Sequence, residues 1–178
     1  MRINTGKFAR AGVLCAIAYI LQVIGSFMGL KVGGFLEIEF SDFPAIIGAL
    51  ALGPVWGVGI ELVKNLLHTT MTSTGFVGEF ANFAVNGVYV FVLGFIYSKM
   101  KTKKGAVIAL ITGGIVMVLA AVLTNLYIML PLYMSDAPFA VKMNIVLTLI
   151  TPFNAARAFV LSVITLLSYK KLSPLLKK

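Results

Sequence analysis

The chain is poor in the groups that do chemistry. It holds one cysteine, Cys15, and one histidine, His68. One thiol allows no internal disulfide, and a single imidazole with no Cys/His spacing supports no zinc site. There is no G-x-x-x-x-G-K-[ST] loop to cradle a nucleotide phosphate. There is no G-x-S-x-G, no H-E-x-x-H and no usable Ser/His/Asp set. An enzyme is therefore not expected, and neither is a bound cofactor or metal. Charge is also scarce, at 12% of residues, and acids are the scarcer sign: six against fifteen Lys and Arg.

What is present is apolar. Of 178 residues 60% are hydrophobic, and the mean hydropathy is +1.00. That exceeds what a soluble core of this size needs and reads as one polytopic membrane domain over residues 1–178. A net charge of +9 in a soluble protein would point to nucleic acid. Here the cations sit in short groups between apolar runs, the pattern of loops facing cytoplasm and anionic lipid, so no nucleic-acid partner is expected.

Topology turns on the segment Leu36–His68. It opens with Glu37, Glu39 and Asp42, runs without charge from Phe43 to Ile60, and closes with Glu61, Lys64, Asn65 and His68. Read as one helix, it gives five crossings and leaves Lys99, Lys101, Lys103, Lys104, Lys170, Lys171, Lys177 and Lys178 outside. Read as two short helices broken at Gly53-Pro54, it gives six crossings with both termini cytoplasmic. Proline in a helix interior removes a donor and clashes with the preceding turn, which favours the break. Eleven cations then lie inside, with Lys31, Lys64, Lys142 and Arg157 as exceptions. The positive-inside rule selects the second reading: an all-α bundle of six transmembrane helices.

In chain order, a basic start (Arg2, Lys7, Arg10) precedes a first helix over Ala11–Gly29. Its apolar run is longer than the roughly 7–15 residues of a signal peptide, so it is expected to be retained. Ala11, Gly12, Cys15 and Ala16 form a small-residue face, fit either for another helix of this chain or for a partner subunit. An outer loop spans Leu30–Asp42, its EIEFSD part extended. Helix two, Ser41–Leu52, is near 18 Å at about 1.5 Å per residue and too short to span, so it must lie among the others or tilt. Helix three, Val55–Thr70, aligns Glu61, Lys64, Asn65 and His68 on one face. Those groups are either an internal Glu61–Lys64 lock or a ligand-facing set, and His68 reads as interfacial. Helix four, Glu79–Ser98, carries Glu79, Asn82 and Asn86. Helix five, Ala106–Pro131, carries Asn125. An outer loop holds Asp136 and Lys142. Helix six, Ile145–Tyr169, carries Asn154 and Arg157 one turn apart, and Arg157 needs a cavity or an acceptor to be tolerated at that depth.

By depth, Lys64, Asn65, Asn82, Asn125, Asn154 and Arg157 all fall toward the outer half. The inner halves are aliphatic. This describes an outward-opening pocket, not a channel. Its amides offer paired donors and acceptors suited to ureide or amide edges on a ligand.

Four segments, EIEFSDFPAIIGALALGPVWGVGIELVKNLLH, GEFANFAVNG, TNLYIMLPLY and ITPFNAARA, together resemble the riboflavin-specific substrate-binding component of energy-coupling factor transporters. The likeness covers nearly the whole chain. It implies six helices with cytoplasmic ends and a flavin held near the outer surface under the loop after helix one. It also implies a transmembrane coupling subunit and two cytosolic ATPases as partners, in the cell membrane. Carried onto this sequence, it assigns riboflavin contacts to Asn125, Asn154, Arg157 and the loop residues Leu36, Glu37, Ile38, Glu39 and Phe40. Lys64 and Asn82 join them from the depth argument. Where this sequence has Arg157 the family often has lysine, and a planar fork changes the hydrogen-bond geometry. The coupling-subunit face maps to Ala11, Gly12, Cys15 and Ala16, which only approximate the family's Ala-x-x-x-Ala. A component for another vitamin, of thiamine or pantothenate type, and a structural or regulatory membrane protein are the rival functions. Trp56 and the amide-rich pocket favour a flavin.

Overall fold

The structure is a computed structural model, and it describes residues 5–29, 31–33, 36–37, 40–71 and 76–176. These are almost wholly helical. Helix α1 spans Thr5–Met28, α2 Phe43–Leu52, α3 Pro54–His68 and α4 Val77–Met100. Helix α5, Lys103–Thr124, runs through a π turn at Asn125–Met129 into the short α6, Leu130–Tyr133. Helix α7, Phe139–Ile145, runs through a second π turn at Val146–Ile150 into α8, Thr151–Leu176. The only extended pairing among the described residues is β1, Lys31–Val32, antiparallel to β2, Leu36–Glu37.

The expected break after Leu52 is present. Gly53 has φ +116°, a backbone region that a side chain would strain, and Pro54 follows as the first residue of α3. The two helices fold back on each other at very short range. A Cβ added to Gly57 would come 2.6 Å from Ala49 Cβ and 3.1 Å from the Ala45 carbonyl. One added to Gly94 of α4 would meet Pro54 Cα at 2.9 Å. Small residues therefore let the α2–α3 hairpin seat directly on α4, the packing that decides association where lipid removes the hydrophobic drive.

Helix α2 resolves its length problem by lying among the others, with Pro44, Ala45, Ile46, Gly48, Ala49, Leu50 and Leu52 all buried. Helix α4 packs against α2, α3 and α5, and α8 against α5 and α2. Tyr89, Val90, Leu93, Leu110, Met117 and Leu161 fill the centre. Among the described residues four helical segments are long and apolar enough to cross a membrane: Thr5–Met28, Val77–Met100, Lys103–Tyr133 and Phe139–Tyr169. Their outward faces are apolar, as bilayer-facing surface must be. Phe27 and Leu167 are each more than three-quarters exposed.

Several expected boundaries move. The first helix starts at Thr5, not Ala11, and the helix expected from Ile145 starts at Phe139. Lys142 is consequently helical, and the connection before it shrinks to residues 134–138. Charge ended those segments in the reading from hydropathy, but a helix can run past the apolar core into the interface, where Lys and Arg stems remain compatible with helix.

Candidate functional site

The chain enters α2 through Ser41 and Asp42, both completely buried. Asp42 stands at the N-cap of α2, yet its side chain makes no capping bond. It is committed elsewhere. Oδ1 lies 2.7 Å from Lys64 Nζ on α3, and Oδ2 lies 2.5 Å from an Arg157 terminal nitrogen on α8. Lys64 is also 2.7 Å from Glu61 Oε2, one turn back, and donates to Ser41 Oγ at 3.2 Å. Asp42, Glu61 and Lys64 have no exposed side-chain surface, and Arg157 has 13%. Charges withdrawn from water this far persist only when paired, and removing one member of such a pair typically costs about 3–5 kcal/mol. The Glu61–Lys64 lock read from the helical spacing is present, with Asp42 as its hub.

A second polar junction lies one turn along α3. His68 Nδ1 is 3.0 Å from Glu79 Oε1 on α4, and His68 Nε2 is 3.1 Å from Ser26 Oγ near the end of α1. His68 is thus buried between three helices, where the sequence had placed it at the interface. Asn65, on the same face, donates to the Glu61 carbonyl at 2.9 Å.

The asparagines share a local device. Asn125 Nδ2 donates to the Ala121 carbonyl at 2.8 Å, and Asn154 Nδ2 to the Ile150 carbonyl at 2.9 Å. Each belongs to a helix widened into a π turn just before a proline. The Leu130 amide bonds to the Asn125 carbonyl and the Thr151 amide to the Val146 carbonyl, each reaching back five residues. Pro131 and Pro152 follow, with no N–H to continue the ladder and a ring that crowds the carbonyl four residues back. Widening the preceding turn relieves that crowding, and such turns recur at functional sites. The two π turns pack against one another; Asn125 is the first residue of one, and Asn154, on α8 just past Pro152, bonds to the last residue of the other. Asn82 accepts from Asn86 Nδ2 at 3.0 Å.

Of the loop residues, Leu36 packs against the core and Phe40 is about half exposed. Glu37 lies in β2 by its backbone, whereas Ile38 and Glu39 fall outside the described residues. The small-residue face of α1 divides. Ala11 is buried and Cys15 packs on the core, while Gly12 and Ala16 point outward, with nothing within 4 Å of a Cβ added at Gly12. Spacing by four placed the two pairs on adjoining strips, and the bundle covers one strip only. Lys64 is placed as a fully paired internal group, not one presented to a surface.

The residue missed was Asp42, read as one more loop acid. A signal existed: Arg157 needed an acceptor, and Asp42 directly precedes the apolar run that becomes α2. Helix boundaries alone could not say which of six carboxylates answers it.

The ends of α1, α3 and α5 and the starts of α2, α4 and α8 thus bring buried ion pairs and amides together in a bundle with long apolar helices. That is the design of a membrane-embedded binding component. The chain matches the family described as ECF transporter, substrate-specific component, over residues 7–169, and belongs to that family, whose members are transporter components and not enzymes. It is 32% identical to the riboflavin transporter RibU of Staphylococcus aureus (strain TCH60), over 93% of this chain and 89% of that protein. It is 31% identical to the riboflavin transporter FmnP of Bacillus subtilis (strain 168), over 94% and 92%. A solved structure, described as the S component of a bacterial ECF transporter, superposes with a TM-score of 0.82 at 30% identity, covering 98% of this chain and 99% of that one. The protein is a multi-pass protein of the cell membrane.

Proposed function

We propose that this chain captures riboflavin outside the cell and delivers it inward as the substrate-binding component of an ATP-driven ECF transporter. The observation that carries the reading is the pair of buried amides, Asn125 and Asn154, each held at the edge of a proline-generated π turn. Each amide's remaining N–H and its oxygen match the alternating donors and acceptors of a flavin's pyrimidine edge. The names of the relatives support the same ligand.

In this proposal all 178 residues form one domain of six transmembrane helices with both termini cytoplasmic. The Gly53 turn and the buried α2 support the sixth crossing. Riboflavin lies at the end that carries Asp42 and the His68–Glu79 pair, under the loop residues Leu36–Phe40, with Asn82, Asn125 and Asn154 around it. Lys64 and Arg157 hold the walls through Asp42. Gly12 and Ala16 offer the docking strip for a membrane coupling subunit served by two cytosolic ATPases. Purification in detergent followed by a visible spectrum tests this: a yellow protein, or a colourless one that takes up added riboflavin, is expected. A folded protein that stays colourless with riboflavin in excess refutes it.

A further inference from the structure

The buried polar groups around α3 do not balance, in charge or in hydrogen bonds. Asp42, Glu61 and Glu79 supply carboxylates, and Lys64 and Arg157 are the cations paired with them. His68 needs no charge to hold its place: a neutral ring donates from Nδ1 to Glu79 and accepts at Nε2 from Ser26. Among these described residues three negative charges therefore face two positive ones.

The shortage of positive charge coincides with a shortage of donors. Among the described residues, Gln22 Oε1, Glu61 Oε1, Asn65 Oδ1 and Asn86 Oδ1 are buried without a hydrogen-bond partner. Each of these residues is more than nine-tenths buried. Turning over an asparagine amide gives no relief, because Asn65 Nδ2 already donates to the Glu61 carbonyl at 2.9 Å and Asn86 Nδ2 to Asn82 at 3.0 Å. Glu61 commits its other oxygen to Lys64. Helical register collects the four. Ser26, His68 and Glu79 are joined through the His68 ring, so they mark where α1, α3 and α4 face one another. Gln22 lies one turn from Ser26, Asn65 and Glu61 one and two turns from His68, and Asn86 two turns from Glu79. Each shares its marker's helix face and is displaced from the junction into the bundle.

We propose that these four oxygens form a binding site for a monovalent alkali-metal cation between α1, α3 and α4. One carboxylate oxygen and three amide oxygens are the hard ligand set that such ions take. The scarcity of cysteine and histidine, which excludes zinc, does not bear on an ion that needs only oxygen. A cation is met by all four oxygens at once, whereas one water can donate only twice. A single positive charge brings the buried groups to neutrality; a divalent ion overshoots it. The bound ion ties α1 to α3 and α4 beside the Ser26–His68–Glu79 junction. The site stands independently of the flavin reading.

The test uses the purified, flavin-free full chain in detergent. Thermal unfolding is followed in sodium, potassium and choline chloride at equal ionic strength, and binding of radioactive sodium and of rubidium, as the tracer for potassium, is measured by equilibrium dialysis. One of the two alkali ions should bind and should raise the unfolding midpoint over choline by about 3 °C or more at ten times its dissociation constant. Which ion does so identifies the occupant. Gln22→Leu and Asn86→Leu each remove one uncharged ligand and leave the ion pairs in place, and each should weaken the ion by at least about tenfold. If a leucine variant does not fold, tracer binding to wild type still decides. Equal midpoints in all three salts with no tracer bound overturn the proposal. So does a midpoint that follows pH and ignores the salt, which assigns the missing charge to a proton. Tracer binding that both variants retain places the ion elsewhere and overturns it too. Riboflavin binding by the same preparation is scored separately: its absence refutes the proposed function and leaves the cation site standing.

Discussion

Asn154 offers a clean separation between holding the fold and holding a ligand. Its Nδ2 donates to the Ile150 carbonyl one turn back on its own helix, at 2.9 Å. That bond is local and neutral, so losing it in Asn154→Ala should cost stability of order 0.5–1.5 kcal/mol at most. The residue is 5% exposed and sits one turn from Arg157, which is ion-paired with Asp42. The ion-pair hub should therefore survive the substitution. A ligand amide facing the vacated position would be left without its partner, at about 1–3 kcal/mol. That corresponds to an affinity for riboflavin lower by roughly ten- to hundredfold. Calorimetric titration in detergent reads the affinity, and thermal unfolding of the same sample reads the fold. Unchanged riboflavin affinity in a folded variant would refute the assignment. A large drop in stability would refute the physical argument, because it would mean the local bond carries more than a side-chain back-bond can.

Three further predictions follow from particular positions. Gly57→Val should destabilise the bundle by about 1–3 kcal/mol, since its Cβ would fall 2.6 Å from that of Ala49, and thermal denaturation should register it. With Cys15→Ser as background, a cysteine at Thr102 should react with a membrane-impermeant maleimide only after the membrane is opened; labelling of intact cells would restore a five-crossing chain. Replacing Gly12 and Ala16 with leucine should abolish co-purification with a coupling subunit while riboflavin binding persists, because both face outward and Ala11, which faces inward, is left alone. Retention of the complex would move the docking surface elsewhere.

Much of the architecture was legible because a bilayer leaves a chain few options. Long apolar runs must be helices, since backbone groups have no water to bond. Gly53-Pro54 had to interrupt its run, because proline cannot donate and glycine can take a positive φ. The asparagines stood out as polar groups with no business on lipid, and their depth along the chain was enough to collect them at one end. The π turns were within reach too: Pro131 and Pro152 each stand two residues past the end of one, and proline's effect on the preceding carbonyl is local.

What the linear pattern could not determine was pairing across the bundle. Periodicity assigns a residue to a face of its own helix, and Glu61, Lys64, Asn65 and His68 were placed together on that ground. It carries no information about which other helix meets the face. That Asp42 joins α3 to α8, that His68 lies between Ser26 and Glu79, and that Ala11 turns inward while Gly12 turns outward depend on helix rotation and crossing. These are decided by close packing of small residues such as Ala49, Gly57 and Gly94, whose consequences appear only when all the helices are in place at once.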